Sequence, residues 1–345
     1  MAIVTLRLPD VKASQPNRPR NCPYCNNSVL QRWGGRQRSI KDIHVQRVWV
    51  YRYRCTNCGR TFRHNPEGIS SARQSEKLAV FAGLCWMLGL SLRATSAILS
   101  AFPAELSHTS VWRDVQVLSA HVKRNRPKKI RVLGVDGVYP KLVGKEQPTV
   151  IVVDMGTGKP VAVWPISEKD WRAVVKRLGP LAQELGVEVI ITDDLKELAV
   201  AAERLELKHQ VCHFHLLRWL WRALEKLRPQ LGKAHQDLID EIWLIAKERP
   251  AGAQSRLFTI WKELQVRRVK ETKTSALYRL RLLVLRLQEN WQKYTLDQAQ
   301  SGVPPTNNAT ERAIGRWRMR SRSTRGFKSW DGLEASFLVC GNESI

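Results

Sequence analysis

The chain has 345 residues, more than one compact core usually covers, so two or three domains are expected. Lys and Arg number 57 against 31 Asp and Glu, a formal charge of +26 that points to a polyanionic partner, while 43% hydrophobic residues exclude wholesale disorder as its source. The longest apolar stretch, Ala79 to Leu92, is short of the roughly 18 residues a spanning helix needs, so no membrane partner is expected.

Residues 1–20 read as a polar arm without the basic, apolar and small-residue sequence of a secretory signal, so a cytoplasmic, nucleoid-associated location is expected. Residues 21–66 carry two pairs, Cys22-Pro-Tyr-Cys25 and Cys55-Thr-Asn-Cys58, four thiolates on two tight turns. That is the tetrahedral set of one structural Zn²⁺, and the intervening stretch has room for a hairpin to bring the turns together. In Arg47-Val-Trp-Val-Tyr-Arg-Tyr-Arg54, a period of two puts Trp49, Tyr51 and Tyr53 on one face and Arg52 and Arg54 on the other, free to meet phosphate. A zinc that only folds the module is the plainer reading, and the two are compatible.

Residues 70–124 are helical in pattern, with Ser91 and Ser107 as caps and Phe102-Pro-Ala as a break. Two short helices about a tight turn fit a helix-turn-helix DNA-binding domain that would offer Thr109, Ser110 and Arg113 to base edges; an ordinary helical bundle is the alternative. The basic stretch 125–130 reads as a linker. The front of the chain is the more electropositive part, with 22 basic and 6 acidic residues in 1–130.

From residue 131 short β-rich runs alternate with helices, the pattern of an α/β domain. Residues 131–215 and 301–345 form this domain, and 216–300, rich in Leu, Trp, Lys and Arg at helical spacing, form an all-α insertion. Its tryptophans, Trp219, Trp221, Trp243, Trp261 and Trp291, are expected mostly in its core, with one or two free to stack on an unpaired base.

Asp136 and Asp193 each stand at the end of an apolar run. Neighbouring strands would set the two carboxylates side by side, a natural Mg²⁺ site, although a strand-end aspartate alone is more often a cap or turn former. Glu311 is the third candidate, in the first turn of a helix launched by Pro304-Pro-Thr-Asn-Asn308. Its plainer reading is a capping box with Asn308. Arg318 and Arg322, seven and eleven residues on, share its helix face and would track a phosphate backbone. Cys212 and His215 admit a second zinc site with His209 and His213 nearby, or a packed strand-to-helix junction.

Taken together, Asp136, the Ile-Ile-Thr-Asp193 strand end, Cys212-His-Phe-His215 and Thr306-Asn-Asn-Ala-Thr-Glu-Arg312 resemble the DDE transposases of bacterial insertion sequences. The likeness is nearest to the group with Mutator-type elements. Two features depart from that group: Asp194 stands where it commonly has Gly, and the N-terminal ribbon is not usual in it. The resemblance implies an RNase H-like mixed-sheet catalytic core in which Asp136, Asp193 and Glu311 hold two Mg²⁺ or Mn²⁺ ions, with His215 near the scissile phosphate. It also implies double-stranded DNA partners, transposon ends and target, and at least a homodimer on DNA. A domesticated, inactive DNA-binding relative and an RNase H-like nuclease without strand joining are the rival readings.

Overall fold

The computed structural model describes residues 10–12, 18–69, 73–124, 126–266, 275–324 and 326–341; most of the expected polar arm lies outside them. By its internal contacts the chain forms two compact units, 1–125 with 316–345, and 126–315. The C-terminal residues 316–345, grouped by sequence with the α/β part, thus cluster with the N-terminal residues.

In the first unit, β1 (Leu30–Ser39), β2 (Arg47–Cys55) and β3 (Thr61–His64) form an antiparallel sheet in that order. The expected hairpin therefore exists. The faces of β2 differ from the simple alternation: Val48 and Val50 are buried with Ile40 and Ile69, whereas Tyr53 and Cys55 are buried on the opposite face with Leu30 and Cys22. Two small cores thus lie on opposite sides of one strand. A register shift in β1 between Arg32 and Gly35 falls at this crossover. As a result Trp49 is 47% exposed instead of packed, while Arg52 and Arg54 are exposed as expected.

The helices follow where serine caps announce them: α1 (Glu76–Met87) after Ser75, α2 (Leu92–Leu99) after Ser91 and α3 (His108–Arg124) after Ser107. Each serine hydroxyl accepts a backbone N–H three residues on. Leu78, Ala82, Leu99, Leu106 and Val111 make their common core. The C-terminal helix Trp330–Cys340 packs against α3, with Gly332 facing the ring of Trp112.

The second unit is built on a mixed five-stranded sheet. The chain runs through β4 (Val132–Val138), a small hairpin of β5 (Lys141–Leu142) and β6 (Lys145–Glu146), then β7 (Thr149–Asp154) and β8 (Pro160–Trp164). Helix α4 (Trp171–Leu185), β9 (Val189–Thr192), α5 (Lys196–Arg204) and β10 (Lys208–Val211) follow. Strand order is β10-β9-β4-β7-β8; β7 and β8 run antiparallel to their neighbours, and β9 and β10 parallel to β4. β7 and β9 are buried along their whole length, as expected of continuous apolar runs in a sheet covered on both faces.

Beyond β10 come α6 (His213–Leu231), α7 (Gln236–Glu248), α8 (Ala253–Val266), α9 (Ala276–Glu289), α10 (Trp291–Tyr294), α11 (Leu296–Ala299) and α12 (Asn308–Ser323). The leucine stripe of α6 (Leu216, Leu220, Leu224, Leu227) packs with Ile242, Leu257, Leu280 and Leu287 in one helical core. Trp291 is in that core and Trp219, Trp243 and Trp261 pack against it, but Trp221 is 54% exposed. No helix among the described residues is long and apolar enough to cross a membrane.

Candidate active site and metal centre

Strand register brings the first two acids together. β4 and β9 are parallel neighbours paired through Gly134 and Ile191, and the same register continued two residues leads to Asp136 and Asp193, near enough that the charge of Asp193 acts on Asp136. Asp136 lies within β4 rather than at its end, opposite Ile151 of β7, and one of its oxygens accepts the Gly137 N–H at 2.8 Å. Burial, aided by the charges of Asp193 and Glu168, pushes its carboxyl up to about 7. Burial also raises Asp193, although His215 draws it back, and Asp193 Oδ1 is buried with no hydrogen-bond partner.

Glu168, which no sequence pattern singles out, is part of this cluster. Its carboxylate lies against Gly137, where a Cβ would collide with it, and the Tyr139 hydroxyl donates to it at 3.2 Å. Burial and the charge of Asp193 raise it. No motif marks it, because its position depends on a side-chain-free residue one step beyond Asp136. Asp194, by contrast, is bound at 2.6 Å by Arg286 of α9, whose guanidinium also stacks on Trp219. Of the two adjacent aspartates, Asp193 is the one with an orphaned oxygen.

Glu311 comes from the first turn of α12, whose start is docked on β4. Asn307 donates its amide to Val135 O at 3.4 Å and its backbone N–H to Cys212 Sγ at 3.3 Å. The helix begins at Asn308 and the Glu311 N–H bonds Asn307 O, so Asn307 is the cap. Glu311 then falls one residue beyond the capping-box position. Its carboxylate meets His215 Nε2 at 3.6 Å.

His215 is raised, chiefly by its hydrogen bond to Cys212, with Glu311 and Asp193 adding. Burial pushes the Cys212 thiol up, and hydrogen bonds from His215 and the Asn307 N–H more than offset it. His209 and His213 are engaged elsewhere, with Thr192 Oγ1 at 2.8 Å and Ala246 O at 3.0 Å.

The three carboxylates do not close into one ligand group. The donor atoms that lie within 4.8 Å of one another are those of Cys212, His215 and Glu311. A thiol, an imidazole and one carboxylate could hold a borderline ion such as Zn²⁺, whereas Mg²⁺ takes hard oxygens, which Asp136, Asp193 and Glu168 offer. The buried, unpartnered Asp193 Oδ1 fits an oxygen-seeking cation.

In the first unit Cys22 and Cys58 sulfurs are 3.8 Å apart and those of Cys25 and Cys55 3.5 Å, and all four form one group. Ligands at about 2.3 Å in a tetrahedron sit about 3.8 Å from one another, so the cluster is compatible with a structural zinc. A hydrogen bond from the Asn27 N–H helps bring the Cys25 thiol down to about 6. Arg113 on α3 and Arg318 and Arg322 on α12 are exposed. Arg320, between them, is buried with its guanidinium over Trp86.

Residues 150–335 match the family model of the IS66 transposases. The chain belongs to the IS66 transposase family. No curated protein matches it. The span that makes it an IS66-family transposase includes Asp193, His215 and Glu311 and begins after Asp136. Insertion-sequence transposase is thus the family likeness that holds, and the Mutator-type likeness has no support in this match.

Proposed function

We propose that this IS66-family transposase cuts phosphodiesters at the ends of an insertion sequence and joins the released 3′-OH to target DNA. On this reading Asp136, Asp193 and Glu311 hold two divalent ions, Mg²⁺ or Mn²⁺, on an RNase H-like core. The observation that supports it best is the parallel register of β4 and β9, which runs towards two half-buried carboxylates, one of them raised by the charge of the other. Bound there, the ions supply Lewis-acid activation of the attacking oxygen and neutralise charge at the phosphate.

The chain's own residues do the rest. Asp136, within β4, and Asp193, just past the end of β9, orient the cations, and their partial burial limits screening by water. Glu311 is partly exposed and reaches the ions by side-chain rotation away from His215. His215, so released, turns its Nε2–H to a non-bridging oxygen of the scissile phosphate. The zinc ribbon, with Arg52 and Arg54, and the helix-turn-helix-like segment, with Arg113, read the terminal repeats, and Arg318 and Arg322 contact backbone phosphates. Two ends cut together call for a homodimer or larger assembly on DNA.

Glu311→Gln tests this directly, because glutamine preserves shape but is a poor Mg²⁺ ligand. The variant is expected to fold and bind labelled end DNA as before while cleaving about 100-fold slower or less. Undiminished cleavage overturns the assignment. The same end substrate, offered with a supercoiled target, separates a transposase, which yields joined product, from a nuclease, which yields only cut ends.

A further inference from the structure

A groove of about 730 Å³ opens from Asp193 and His215 and runs along α6. Arg218, Arg222 and Lys226 line it, four residues apart on one helix face, all exposed. At 1.5 Å per residue they stand about 6 Å apart, each step turned by about 40°, a spacing close to that of successive phosphates on one strand. None of the three has an acidic partner among the described residues. Neighbouring arginines do: Arg228 binds Glu225 and Asp240, and Arg256 binds Glu241.

The far wall is neutral by contrast, because Arg286 is spent on Asp194 and on the face of Trp219. The ladder begins one turn beyond His215. A polyanion lying on it would therefore enter the carboxylate site lengthwise.

We propose that this groove is a DNA-binding track that holds the phosphates of the strand entering the active site, with Arg218, Arg222 and Lys226 each taking one phosphate. The proposal rests on the reading that the acids process DNA, and it adds a contact surface outside the ribbon and the N-terminal helices. Three unpaired cations contribute to affinity by releasing counterions, so their signature is a salt slope rather than sequence preference.

The test uses the full chain and a labelled duplex of about three helical turns, with binding measured across a salt series. Arg218→Ala with Arg222→Ala is expected to reduce the slope of log affinity against log salt by about 2, and adding Lys226→Ala by about one more. The Arg218→Lys, Arg222→Lys pair is expected to keep the slope. Lys176→Ala with Arg177→Ala, on the exposed side of α4, removes two charges elsewhere in the same unit and is expected to leave it nearly unchanged. An unchanged slope in the groove variants, or an equal fall in the α4 variant, overturns the proposal. Asp193→Asn tells the two readings apart: if it still cleaves, the catalytic assignment fails while the slope result stands.

Discussion

Asp136 couples the state of the site to pH through one proton. Its folded pKa of about 7 lies above its ordinary 3.8, so the native protein holds that proton more tightly than the unfolded chain. The stability this contributes is complete below about 4 and is lost as pH rises through about 7. In metal-free protein the urea midpoint should therefore fall between about pH 5 and pH 8, and Asp136→Asn should remove most of that fall. Mg²⁺ added at the upper end should restore the wild type and not the variant. A pH slope left unchanged by the substitution would exclude burial of this carboxyl as its cause, because Asp193, Glu168 and His215, also raised, account only for a remainder. Asp136 and Asp193 were legible in the sequence because each follows an apolar run. Glu168 was not, since its approach depends on the absent side chain of Gly137 and the hydroxyl of Tyr139. Nor could sequence alone tell Asp193 from Asp194: the difference is Arg286, 92 residues further along the chain.

At the scale of elements, the decisive joint is the docking of α12 on β4. A Cβ at Gly134 would run into Thr310 Oγ1 and Asn307 Oδ1, so Gly134→Ala is expected to cost about 1–3 kcal/mol in urea unfolding and to abolish cleavage by moving Glu311. Gly315→Ala, on the same helix with nothing within 4 Å, is expected to be neutral or to gain up to about 1 kcal/mol. Equal losses at the two positions would remove the docking argument. The helix starts at Ser91 and Ser107 were readable because a hydroxyl cap is a local device, written within three residues. The two faces of β2 were not. Which side of Val48 or Tyr53 is buried depends on Ile69 and Leu30, partners far along the chain, and on the shift in β1 that lets the strand change sides.

For the whole molecule, the charge of +26 and the two Cys-x-x-Cys turns were visible from the start, while the grouping of residues 316–345 with the N-terminal residues was not. That grouping is made by packing of the C-terminal helix on α3, which no local pattern encodes. A chelator that strips the cysteine cluster should release one equivalent of zinc per chain and weaken DNA binding, while the helical signal of residues 126–315 persists. Cys22→Ser with Cys58→Ser should do the same without chelator; full zinc content in that variant would place the metal elsewhere. α12 and the C-terminal helix follow both aspartates and the cysteine cluster in the chain. Residues 308–315 bring Glu311 to one unit, and 316–341 complete the other, so neither is whole until both of these helices have been made. A nascent chain that lacks them would then carry the cysteine cluster and both aspartates on an unfinished scaffold. Synthesis itself would withhold the assembled carboxylate site until that stretch has left the ribosome.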